Sequence, residues 1–151
     1  MIKKSIIITI FITQGLCGIA FAKPKYELGS NLMKMQISQL GTLRSFNVGN
    51  ETFRILPNAD NTGAYVINDH GKVGKCSGEI LISGVSINQA KKALEIYRSK
   101  IASIQVYDSL KIVSAKFRNL QDAAKVKNEL ASTLAGATIT LPIAFNQPRP
   151  Q

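Results

Sequence analysis

The chain has one histidine, His70, six positions before a cysteine, Cys76. A thiol and an imidazole are the parts of a nucleophilic pair: the ring takes the thiol proton while a third group orients the ring. Asp69 is the neighbour of His70 in sequence and is poorly aimed for that orienting role. His70 itself sits in the turn-forming run Asn68-Asp69-His70-Gly71, where histidine is an ordinary surface residue. One histidine with scattered carboxylates matches no metal-ligand spacing. There is no G-x-S-x-G elbow, no phosphate loop and no dinucleotide fingerprint. The side chains capable of chemistry therefore predict no enzyme, no metal and no cofactor.

Charge is the next property with chemical consequences. Nineteen Lys and Arg against nine Asp and Glu give a formal net charge of +10, and nucleic acid is the obvious partner for such a balance. Lys91, Lys92, Arg98 and Lys100 fall on or near a predicted helix from Ser86 to about Lys100, Lys111, Lys116 and Arg118 on or beside a strand, and Lys125 and Lys127 on the helix after it. RNA-recognition domains need stacking aromatics at the centre of that strand. Here it reads Leu110-Lys111-Ile112-Val113-Ser114-Ala115-Lys116-Phe117, with an aromatic at its end alone. Nucleic acid is thus not expected. The basic surface would instead attract acidic partners: anionic lipid, the acidic stems of peptidoglycan, or a negatively charged protein.

Residues 1–22 read as a secretory signal peptide. Lys3 and Lys4 form the basic start, Ser5 to Gly18 is mostly apolar, and Ala20-Phe21-Ala22 supplies the small residues of a cleavage site. Gln14 and Gly15 interrupt a segment already short for a membrane span, so no transmembrane anchor is expected after cleavage. Cleavage would leave 129 residues with 17 basic and 9 acidic side chains, and would remove Cys17. Cys76 would then have no internal disulfide partner, and a buried thiol is expected. These features predict a bacterial periplasmic or secreted protein.

The mature chain divides into three stretches. Residues 23–76 form an N-terminal annex. Ser30 caps a predicted helix over 31–40, with Leu32, Met33, Gln36, Ile37 and Leu40 on one stripe and Gly41 as its stop. Strands at 52–56 and 64–67 flank the turn-rich 57–63, and a third short strand follows near 72–76. Residues 77–145 are the best organised. They comprise a strand at 79–83, a helix from the capping box Ser86-Ile87-Asn88-Gln89 to about Lys100, and strands at 101–107 and 110–117. A second helix capped by Asn119 and a last strand at 137–145 complete the set. The order β-α-β-β-α-β predicts an α+β, ferredoxin-like sandwich, with the helix and β-hairpin annex in front of it. Pro142 would place the last strand at a sheet edge. Residues 146–151 are an extended tail.

Two families share this element order in a matching compartment. The run 110–117 followed by Asn119 and Ala123 resembles the second half of a peptidoglycan-binding SPOR domain. Gly84-Val85-Ser86 departs from that pattern by lacking an aromatic. The layout is also similar to that of propeptides and chaperones of subtilisin-like proteases, whose C-terminal tails enter the protease cleft. Asn146-Gln147-Pro148-Arg149-Pro150-Gln151 is placed as such a tail would be.

The resulting expectation is a non-enzymatic accessory or assembly protein of an envelope machine, in pilus biogenesis or secretion, acting by protein–protein contact. A protease inhibitor or chaperone using its tail, and a SPOR-like peptidoglycan binder, are the alternatives. The contact residues expected are Met33 and Met35 on the first helix, Thr138 and Thr140 on the edge strand, and Gln147 and Arg149 in the tail.

Overall fold

A computed structural model describes residues 26–57 and 63–146. Within the described residues the structure is mixed α+β, with two antiparallel sheets and three α-helices. The predicted signal segment 1–22 and tail positions Gln147 and Arg149 lie outside the described residues.

The five-stranded sheet holds β1 (Ser45–Val48), β2 (Glu51–Ile55), β3 (Ala64–Asn68), β4 (Val73–Cys76) and β9 (Ile143–Ala144), in the order β1-β2-β3-β4-β9. It is larger than the hairpin expected in this region. β1 was not foreseen, and β9 comes from the other end of the chain. The sheet's end near β4 is covered by α1 (Lys34–Ser38) and the segment before it. Leu32, Ile37 and Leu40 pack there on buried Leu56, Ile67 and Val73.

The four-stranded sheet holds β5 (Glu79–Ser83), β6 (Ile101–Tyr107), β7 (Ile112–Phe117) and β8 (Thr138–Thr140), in the order β6-β7-β5-β8. Every neighbouring pair is antiparallel. Helix α2 (Ile87–Glu95) links β5 to β6, and α3 (Leu120–Thr133) links β7 to β8. Alternation in the strands sends Ile80, Ile82, Val113, Ala115 and Phe117 to one face. They share a buried cluster with Ala90 and Leu94 of α2 and with Leu120, Ala123, Val126 and Leu130 of α3. On the other face the Ser114 hydroxyl donates to the Glu79 carboxylate.

The same cluster takes in Phe46, Phe53, Val66 and Cys76 of the five-stranded sheet. β1 lies against α3, and the Asn128 amide donates to the Asn47 carbonyl at 3.3 Å. The two sheets thus share one core.

The starts of α2 and α3 match their sequence signals; α1 does not, because it begins at Lys34 after Met33, while Ser30, expected as the cap, donates its hydroxyl to the Glu27 carbonyl. The Ser86 hydroxyl accepts from the Gln89 backbone, and the Gln89 side chain accepts from the Ser86 backbone. The Asn119 side chain accepts from the Asp122 N–H at 2.8 Å. Asn119→Ala orphans that donor and should cost about 1 kcal/mol in a urea titration, with α3 still formed. The end of α2 differs from expectation. The helix stops at Glu95, and Arg98–Lys100 forms a separate 3-10 turn. Between the two, Ile96 is 78% exposed, while Tyr97 still packs on the shared core.

No helix of the described residues is long and apolar enough to cross a membrane.

Candidate partner-binding surface

The C-terminal segment is the most unusual part of the fold. One strand was expected over 137–145. The chain instead makes two, each at the edge of a different sheet. β8 pairs with β5 through Leu81–Thr140, Ile82–Ile139 and Ser83–Thr138. β9 then pairs with β4 through Lys75–Ala144 and Cys76–Ile143. The break falls at Leu141-Pro142. Proline has no N–H for a ladder, and Leu141, 3% exposed, turns into the shared core between the two pairings.

Past β9 the chain leaves the sheet because the edge of β4 is already occupied. The Gly29 N–H donates to the Val73 carbonyl, and the Val73 N–H donates to the Ser30 carbonyl, both at 2.8 Å. Asn31 forms a bridge with Lys72 beside them. Gly29 and β9 meet closely: a Cβ on Gly29 would stand 2.6 Å from the Phe145 carbonyl oxygen. Gly29 also has a φ of +79°, so a side chain there is disfavoured twice.

Phe145 is anchored by a gap in β4. A Cβ on Gly74 would meet Ile143 Cγ2 at 2.8 Å and the Phe145 ring at 3.0 Å. The Lys72 ammonium lies 5.3 Å from the centre of that ring, in cation–π range. Asn146, the last described residue, is exposed.

Thr138 and Thr140 are exposed on the β8 edge, as expected. Met33 and Met35 are 72% and 69% exposed. Met33 was expected on the packed stripe, but that stripe consists of Leu32, Ile37 and Leu40. The Met33 N–H is held instead by the Gln36 side chain at 2.8 Å, at the start of a one-turn helix. The methionines thus lie on the five-stranded sheet's side and the threonines on the four-stranded sheet.

His70 and Cys76 stand at opposite ends of the β3–β4 ladder. His70 is exposed in the turn, its N–H donating to the Asn68 side chain at 3.1 Å. Cys76 is 1% exposed, and burial pushes its thiol pKa up. Such a thiol is a poor nucleophile. In the chain lacking 1–22, Ellman's reagent should label it only on unfolding, following the denaturation curve. Rapid labelling of native protein would contradict this burial.

A cavity of about 290 Å³ opens near Cys76, lined by Arg44, Arg118 and the start of α3. Nearby, Lys100 and Asp122 form an ion pair at 2.8 Å. The Lys100 hydrogen bond is the main influence holding the Asp122 carboxyl below its usual pKa.

No protein-family model matches the chain. No curated protein matches it either. Among solved structures, it is similar to a chain in the complex of Aeromonas sobria serine protease and the chaperone, at 16% identity and a TM-score of 0.47. The match covers 72% of this chain and all of that one.

The sequence marked the edge character of 138–140 through Pro142. It carried no local sign that β9 would cross to β4. The usable signals were the glycine at 74 opposite two large apolar residues and the glycine at 29.

Proposed function

We propose that this chain is an exported, non-enzymatic protein that binds another exported protein, acting as a chaperone or inhibitor through its C-terminal segment. The observation that carries the reading is the course of that segment. It runs along the edges of two sheets, is anchored by Phe145 over Gly74, and reaches the surface at Asn146. An edge strand followed by a surface-leading segment suits strand addition to a partner. Pro148 and Pro150, at alternate positions beyond it, favour an extended backbone and resist peptidases.

Export rests on the basic, apolar and small-residue pattern of 1–22. We read residues 79–140 as a ferredoxin-like unit. The strand order β6-β7-β5-β8, with α2 and α3 as the crossovers, supports that reading. The partner class is an exported protease, because an extended tail with proline at alternate positions suits a substrate cleft. This rests on the residue pattern of 146–151 and not on the Aeromonas neighbour.

The test compares residues 23–151 with 23–146 against a panel of purified subtilisin-like proteases. Inhibition and refolding yield are both read. The longer chain should inhibit or raise the yield, and the shorter should lose at least about tenfold in potency, as for removal of a central contact. Equal potency, or no effect of either chain, would reject the proposal.

A further inference from the structure

The opposite edge of the four-stranded sheet has a different character. β6 has seven residues, Ile-Ala-Ser-Ile-Gln-Val-Tyr, and is the outermost strand on its side among the described residues. Exposed edges are normally blunted by lysine, proline, bulges or shortness, since their free N–H and C=O groups invite pairing. β6 contains no charge and no proline. Its one irregularity lies at the start, between Ile101 and Ser103. From Ser103 to Tyr107 it pairs regularly with β7. The other edge, β8, has three residues and runs into Pro142.

A groove of about 350 Å³ lies beside this edge, between α2 and β6. Leu94, Ile104 and Val106 form its apolar lining, and Lys91, Glu95 and Arg98 its charged one. Arg98 also lines an adjoining cavity of about 220 Å³ at the start of β6, together with Arg118. Arg98, Arg118 and Lys91 are exposed, and none is ion-paired among the described residues. Three cations against Glu95 leave the strip positive.

We infer that the free edge of β6 and the groove beside it form a second docking strip, for an extended acidic segment of a partner protein bound by strand addition. The backbone of that segment pairs with β6. Its alternate side chains fall on the groove side, apolar ones over Ile104 and Val106 and acidic ones near Lys91, Arg98 and Arg118. The strip lies across the sheet from β8, so it operates whether or not the C-terminal segment binds a partner.

The test uses isotope-labelled 23–151 and three short peptides. The first carries valine and then glutamate on one face, at alternate positions with serine between; in the second lysine replaces glutamate, and in the third proline replaces valine and serine. The glutamate–valine peptide should shift β6 and α2 resonances and slow exchange of the β6 amides that point away from β7. The lysine–valine peptide should bind at least about tenfold more weakly, because like charges meet at the rim. The glutamate–proline peptide keeps the charge but cannot form a ladder, and should also fail. In the Arg98→Glu, Arg118→Glu variant the charge preference should reverse, with the circular dichroism spectrum unchanged. Equal binding of the proline peptide would overturn strand addition. Shifts centred on β8 or on the Cys76 cavity, absence of any binding, or an unchanged preference in the variant would overturn the site.

Discussion

Phe53→Ala is expected to destabilise the protein by about 3–5 kcal/mol and to unfold both sheets in one transition. Phe53 is 2% exposed and centred in β2, where it pairs with Phe46 of β1 and Asn68 of β3. Its ring stacks with that of Phe46 at 5.7 Å between centroids. Both rings belong to the cluster that contains Val126 and Leu130 of α3 and Ile80 of β5. Truncation to alanine removes the transfer energy of the ring and leaves a cavity in contact with elements from both sheets. A domain of this size is stable by about 5–15 kcal/mol, so the loss is a large fraction of the total. Urea titrations followed by circular dichroism and by Cys76 labelling should shift together. Two separated transitions, with α3 surviving loss of the β1–β2 strands, would show that the shared core is not cooperative.

The sequence is most legible where the signals are local. The capping box at Ser86 and Gln89 and the cap at Asn119 each depend on contacts three residues apart, and both helices begin where those residues stand. The strand at 101–107 is found over the whole of its expected span. Legibility falls as the deciding contact moves farther along the chain. β1 has four residues with Phe46 buried and Val48 half-buried, too short an alternation to stand out. β9 has two residues, and its partner β4 lies nearly seventy positions earlier. Nothing between Ala137 and Phe145 marks that change of sheet except Pro142, which signals an edge without saying which one.

The candidate site shows the same gradient. Thr138 and Thr140 could be placed on an edge from alternation and a proline. Met33 and Met35 were visible as contact-type residues, but the stripe that buries α1 is set by a small cluster from β3, β4 and the end of β2. That cluster selects Leu32, Ile37 and Leu40 and leaves both methionines outside. β6 illustrates the converse. Its neutral, partly β-branched composition suits an interior strand, and only the sheet order turns the same residues into an open edge.

Leu141→Asp is expected to detach the C-terminal segment and to have the larger functional effect. Leu141 is the hinge between the two pairings and the one buried side chain between Thr140 and Asn146. Burying an unpaired carboxylate costs several kcal/mol, more than two strand pairs to β4 and half-buried contacts of Ile143 and Phe145 can offset. Release is cheaper than keeping the charge inside. Leu141 is one member of the shared core, and the hydrogen bonds of the helices and of the β5–β7 pairing do not run through it, so the molecule should remain folded while β9 leaves β4 and Phe145 leaves Gly74. Three readouts separate release from global unfolding. Far-ultraviolet circular dichroism should stay near native, chymotrypsin should cut after Phe145, and the Lys75 amide, which faces β9, should exchange faster. Potency against a protease partner should fall at least as far as in the 23–146 chain, because the segment has lost the anchor that aims it. Leu141→Ala, which removes packing without adding charge, should cost about 2–5 kcal/mol. It should retain β9 and most of the potency. If Leu141→Asp binds as tightly as the native chain after β9 has been released, the anchored course of the segment is not what orients it.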